Sequence, residues 1–132
     1  MIEFFAPMKR PPTVTGSNGK RVDKRSGRIY DAPELSRARE AIESAIAPYR
    51  PLEPLSGPLS IEVRWCYPLK RGHRQGEPYA QKPDIDNSCK ALFDALQKLG
   101  FISDDKLIVE EHVYQAWSEP PGVYIMIEQV DC

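Results

Sequence analysis

Nine consecutive residues, 59–67, constrain the fold more than any other feature of this chain: in LSIEVRWCY, Ile61, Val63, Trp65 and Tyr67 alternate with Ser60, Glu62, Arg64 and Cys66. Successive side chains of a strand point to opposite faces, so this run predicts a half-buried strand with one apolar and one polar side. Such a sheet needs a second layer over its apolar face. Two segments have the spacing to supply it. Leu35, Ala38, Ile42, Ala45 and Ile46 recur at helical intervals after about Pro33, with Asp31 available as a cap and Pro48 as a stop. Leu92, Phe93, Leu96 and Leu99 do the same over 87–99, with Gly100 where a helix C-terminus favours a left-handed residue.

The remaining elements complete a short topology. IEFF near the N-terminus reads as a first strand ended by Pro7, residues 106–117 as a long strand, EPPG as a turn and VYIMIEQV as its antiparallel partner. Residues 47–58 hold four prolines and form a stiff connector. The order is β-α-β-α-β-β. It predicts a single α+β domain over 1–132, two-layered, with a mixed β-sheet and two main helices packed on one face. With 132 residues, 41% of them apolar, the chain can bury roughly two-thirds of its unfolded surface, enough for one core without staples.

Charge narrows the function classes. The formal net charge is −1, yet residues 1–82 carry 15 Lys and Arg against 9 Asp and Glu, and residues 83–132 carry 3 against 10. A basic part and an acidic part in one small domain suit a polyanion held by the first and a cation held by the second. The basic residues gather in two stretches without apolar period. One, a mobile loop or hairpin at about 8–28, holds Lys9, Arg10, Lys20, Arg21, Lys24, Arg25 and Arg28; the other, at about 68–82, holds Lys70, Arg71, Arg74 and Lys82. Either run can equally be a solvated face.

The three cysteines, Cys66, Cys89 and Cys132, are odd in number and lack CxxC spacing, which argues against a disulfide framework and a zinc site. No apolar run approaches the roughly 20 residues of a membrane span. The N-terminus has no apolar core of a signal peptide. The expectation is a soluble cytoplasmic protein with no membrane partner. His73 and His112 have no neighbours that suggest a metal or nucleophile role, and Trp65 and Trp117 read as core or dimer contacts.

The informative run is KPDIDNSCKALFDALQKLGFISDD, residues 82–105. If Asp84 to Asp86 are extended, their carboxylates at i and i+2 face the same side and repel, unless a hard divalent cation lies between them. A structural reading stands beside this one: Asp86 or Asn87 caps the second helix and Asp84 favours its dipole. Lys90, four residues after Asp86, fits either a phosphate contact or an i,i+4 ion pair. Asp104 and Asp105 taken alone are turn chemistry.

Taken together, the run Lys82-Pro83-Asp84-Ile85-Asp86-Asn87, then Lys90, FDAL at 93–96, LGF at 99–101 and the Asp104-Asp105 pair resembles the RusA-type Holliday junction resolvases. The likeness is specific over about 82–117. It implies that Asp84, Asp86 and Asp105 bind Mg²⁺, for which Mn²⁺ could substitute, with Asp104 as a further candidate ligand. It also implies that Lys90 is catalytic or touches DNA, and that the protein is a homodimer cutting paired strands of a four-way junction in recombination and repair. Two other readings are a less specific flap or branched-DNA nuclease and a non-catalytic DNA-binding module. A helix over 87–99 is roughly 20 Å long at 1.5 Å per residue, so it separates Asp86 from Asp105. Either the loop after Gly100 folds back, or a two-fold partner supplies Asp105. We favour the partner.

Overall fold

The computed structural model describes residues 1–13, 20–31 and 33–130, the side chains of residues 20, 21, 30 and 31 excepted. The alternating run forms β4 (Leu59–Tyr67), and its apolar side chains face a layer made by α1 (Pro33–Ile46) and α2 (Ile85–Lys98). Beside it lie β1 (Ile2–Pro7), β6 (Ile108–Trp117) and β7 (Gly122–Gln129). Three short strands, β2 (Lys20–Val22), β3 (Ile29–Asp31) and β5 (Glu77–Pro78), add to the expected order.

The five-stranded sheet runs β1-β7-β4-β6-β5 and is mixed: β4 and β6 are parallel, and the other neighbours are antiparallel, so β6 and β7 flank β4 on opposite sides and are not the paired hairpin expected from sequence, because the apolar β4 takes the central place between them. The parallel pair follows from topology, because α2 lies between β4 and β6 in sequence and crosses one face of the sheet to join them. Register places Val63 beside Val113 and Ile125, and Trp65 beside Gln115 and Val123. One parity of each strand therefore faces the helices. Ile42 and Ile46 of α1 and Leu92 and Leu96 of α2 join those strand residues in one core. A glycine is required at 122, where φ is +150° and a β-carbon would stand 2.3 Å from the Ala6 carbonyl oxygen across the β1–β7 pair. Among the described residues no helix is long and apolar enough to cross a membrane.

β2 and β3 form a two-stranded hairpin within the first basic stretch, closed by an Asp23 side chain that accepts from the Arg25 amide at 2.8 Å. Exposed Lys24, Arg25 and Arg28 ride on its turn. The side chain of Asp31, expected to cap α1, lies outside the described residues.

Leu96 has no exposed surface and holds α2 to the sheet. Leu96→Ala is expected to lower stability by about 2–5 kcal/mol, through lost transfer energy and the cavity left behind. Urea unfolding followed by circular dichroism measures it, and a loss below about 1 kcal/mol, nearer to that of a surface substitution, would contradict this packing.

Candidate active site

The approach to α2 is tied down from two sides. Tyr79 donates its hydroxyl to the Lys82 carbonyl at 3.1 Å, and Gln115 donates Nε2 to the Pro83 carbonyl at 3.1 Å. The Tyr79 amide in turn donates to the Gln115 carbonyl at 2.9 Å. Gln115 is 7% exposed and stands on the helix-facing side of β6. A polar side chain at that parity between Val113 and Trp117 is the sequence signal that something must bind it, because a buried amide without a partner is costly. Its Oε1 has no hydrogen-bond partner among the described residues.

This tether sets where the carboxylates start. Asp84 is extended, with φ −73° and ψ 164°, and caps α2 by accepting from the Asn87 amide at 3.1 Å. The cap is thus Asp84, in place of the expected Asp86 or Asn87, and the helix begins at Ile85. Asp86 lies in the first turn of α2 and not on an extended segment, so strand alternation does not relate it to Asp84. Both aspartates nonetheless line one open cleft of about 890 Å³, with Tyr79, Lys82, Ile85 and Gln115 around them. Both are exposed. Lys90, one turn further along α2, is exposed as well.

Asp105 lies elsewhere. Its amide donates to Gln97 Oε1 at 3.0 Å, near the C-terminal end of α2, whereas Asp86 is at the N-terminal end. The 14 residues of α2 span about 21 Å. The loop from Gly100 does not fold back to the first motif. Asp104 is occupied locally, capping a 3₁₀ turn at Asp105–Leu107 by accepting from the Lys106 amide at 2.9 Å. The Asp105 carboxylate is exposed.

Carboxylate oxygens fit a hard divalent cation in kind. In number one chain falls short: among the described residues no three or more His, Cys, Asp or Glu side chains are grouped to hold a metal ion. Cys89 is 4% exposed, and burial pushes its thiol up to about 11, with the nearby carboxylates of Glu111 and Asp86 adding to the rise. A thiol so placed stays protonated and is a poor nucleophile or ligand. Glu111, which strand alternation alone does not single out, stands on the helix-facing parity of β6 opposite Ile61 and extends the negative field at this end of α2.

Lys9 and Arg10 follow β1 and are exposed, as are Lys70, Arg71, Arg74 and Lys82. Lys20 and Arg21 fall in β2, and their side chains lie outside the described residues, as does Cys132. The second basic stretch is stitched to the end of β6. Gln75 Nε2 donates to Ser118 Oγ at 2.8 Å, the Glu119 amide donates to Gln75 Oε1 at 2.9 Å, and the Leu69 amide donates to Glu119 Oε1 at 3.0 Å. His73, unassigned from sequence, pairs with Glu77 and stacks on Trp117 with ring centroids 3.9 Å apart.

Residues 11–128 match the family described as Endodeoxyribonuclease RusA. The chain belongs to the RusA endodeoxyribonuclease family. It is 26% identical over 131 residues to the crossover junction endodeoxyribonuclease rusA of Lactococcus phage r1t, covering 98% of each chain. It is also 26% identical over 119 residues to the uncharacterized protein YqaN of Bacillus subtilis (strain 168), covering 80% of this chain and 83% of the relative. RusA membership makes the protein an endodeoxyribonuclease, and the match takes in both aspartate motifs and the basic stretches from residue 11 on, leaving Lys9 and Arg10 outside it.

Proposed function

We propose that this endonuclease resolves four-way DNA junctions as a homodimer, in recombination and repair in the cytoplasm. The observation that carries the reading is the end-to-end likeness to the phage crossover junction enzyme, 98% of each chain. Asp84 and Asp86 of one subunit and Asp105 of the other would hold Mg²⁺, with Asp104, which caps its turn through Oδ1, as a further candidate ligand. Nucleases of this kind generally use a divalent metal; Mg²⁺ is the specific proposal, with Mn²⁺ able to replace it. When bound, the ion supplies Lewis acidity at a phosphoryl oxygen and lowers the pKa of water.

The chain's own residues do the rest. Tyr79 and Gln115 fix the carbonyls before Asp84, so both carboxylates are presented to one cleft before DNA arrives. Preset geometry of this kind costs no reorganisation during reaction. Lys90 places a cation one turn from Asp86, where it can hold a phosphate oxygen. The exposed cations Lys9, Arg10, Lys24, Arg25, Arg28, Lys70, Arg71, Arg74 and Lys82, together with Lys20 and Arg21, would position the junction arms through their phosphates.

The test is a side-by-side assay on a four-way junction, a flap and a linear duplex, each with Mg²⁺ or EDTA. Paired incision of the junction is expected, with little cleavage of the duplex and none in EDTA. Equal cleavage of flap and junction would replace the resolvase reading with a general branched-DNA nuclease.

A further inference from the structure

β6 has one open side. On its outer edge it meets only β5, at Ala116 and Trp117, and among the described residues no strand pairs with that edge from Ile108 to Gln115. The carbonyls of Gln115 and Trp117 point to this edge, where they accept from the amides of Tyr79 and Gly76 at 2.9 and 2.7 Å. Backbone direction alternates along a strand, and the register with β4 is unbroken from Glu110 to Trp117, so the N–H and C=O groups of Glu111 and Val113 point to the same edge. No strand of the described residues meets them there. Glu110, Glu111 and His112 are exposed, and Val109 is 64% exposed. Such a row of backbone groups is a template for another strand, and the edge runs up to the cleft, which Val113, Tyr114 and Gln115 line.

We propose that two copies of the chain pair along this free edge of β6, antiparallel and with Glu111 opposite the partner's Glu111, and that this pairing completes the carboxylate site. In that register each Glu110 lies opposite the partner's His112, on the face of the sheet away from the helices, and opposite charges so placed favour the pair. Glu110 already meets the His112 Nε2 of its own strand at 3.2 Å, so the two side chains suit each other. Centring on Glu110 would set that acid against its own copy. Centring on His112 would drive the partner's Ile108 onto Ala116, which β5 already covers. The two-fold axis stands perpendicular to the sheet, so both helix layers fall on one side and α2 of one subunit runs antiparallel to α2 of the other. The N-terminal end of one α2 then lies towards the C-terminal end of the other. The same register brings the partner's 3₁₀ turn, residues 105–107, up to Gln115, which lines the cleft with Asp84 and Asp86. The Glu111 pair on the axis repels, and the same acids keep the edge from unrelated strands. This inference rests on the homodimer proposed above and names the surface that forms it.

The experiment uses the full chain with single added cysteines, mildly oxidised and run without reductant beside wild type, whose own Cys66, Cys89 and Cys132 give the background. Light scattering of wild type is expected to show a dimer. Glu111→Cys should then convert most of the chain to a covalent dimer that dithiothreitol reverses, since facing residues of a hydrogen-bonded pair lie about 5.5 Å apart, inside the disulfide range. Glu110→Cys and His112→Cys should stay at background, because each would meet its own copy only diagonally, at roughly 7–8 Å. Glu111 is exposed, so its replacement should leave the fold intact, checked by thermal unfolding. A dimeric chain in which Glu111→Cys stays at background, or bonds no better than Glu110→Cys or His112→Cys, would overturn this surface and leave the homodimer standing. A wild type that is monomeric at every concentration would overturn both.

Discussion

Asp86→Asn is expected to lose divalent-metal-dependent cleavage by roughly a thousandfold or more while still binding branched DNA, because Lewis-acid stabilisation is worth several kcal/mol and tenfold in rate needs about 1.4. The substitution is nearly isosteric. Asp86 lies in the first turn of α2, so removing its charge costs the helix only about 0.3–1 kcal/mol of dipole interaction. The cap itself is Asp84 and is untouched. A stability change so small cannot account for a thousandfold loss, which separates a metal carboxylate from a capping or surface acid. Single-turnover cleavage beside a gel-shift titration measures both quantities. Retained cleavage in Asp86→Asn would remove Asp86 from the site and leave its charge a matter of helix stability. Removal of like-charge repulsion with phosphate should leave binding equal or tighter.

The second large effect concerns two dead proteins that together make a live one. In a two-fold dimer with shared sites, an Asp86→Asn subunit still donates an intact Asp105, and an Asp105→Asn subunit still donates intact Asp84 and Asp86. One site of the mixed dimer is then wild type and the other lacks both groups. Each variant alone should be inactive, and the mixed dimer, co-expressed with two tags and purified through both, should nick one strand per junction without paired resolution. A site formed within one chain predicts no recovery, since each subunit would carry one lesion. The placement of Asp105 beside Gln97, at the far end of α2 from Asp86, is what makes recovery the expected result. Absence of nicking in the mixed dimer would return Asp105 to the role of a turn residue.

Local periodicity made most of the frame legible. The alternation in 59–67 coincides with β4 because each side chain's face is set by its own backbone, and the spacing from Leu35 to Ile46 does the same for α1. Errors arose where a distant residue decides the local outcome. β5 is two residues long, and its only reason to be a strand is pairing with Trp117 and Ala116, some 40 positions away. The start of α2 moved from Asn87 to Ile85 because Asp84 accepts from the Asn87 amide, and the segment before it is held by Tyr79 and Gln115. The aspartate motifs could be read as candidates from residue type and spacing, since carboxylates recurring around a helix are a chemical pattern carried by the chain itself. The residues that aim them could not. Gln115 and Pro83 are joined only by the fold, as are Tyr67 and Tyr79, and no local period reports such a meeting.

The place of β7 in the sheet bears on when this nuclease can first act. β7 is the last strand in chain order, yet it lies between β1 and β4, pairing Ile2 with Ile127 on one side and Ile61 with Ile127 on the other. A nascent chain therefore carries β1 as an unpaired edge and leaves half of β4 open until residues 122–129 have left the ribosome. Contacts of such long sequence separation close late, after loop entropy has been overcome. The carboxylate cleft leans on β6, which leans on β4, so its walls set only once that final strand is in place. A polypeptide in which residues 122–129 had not yet joined the sheet would be unable to cut DNA.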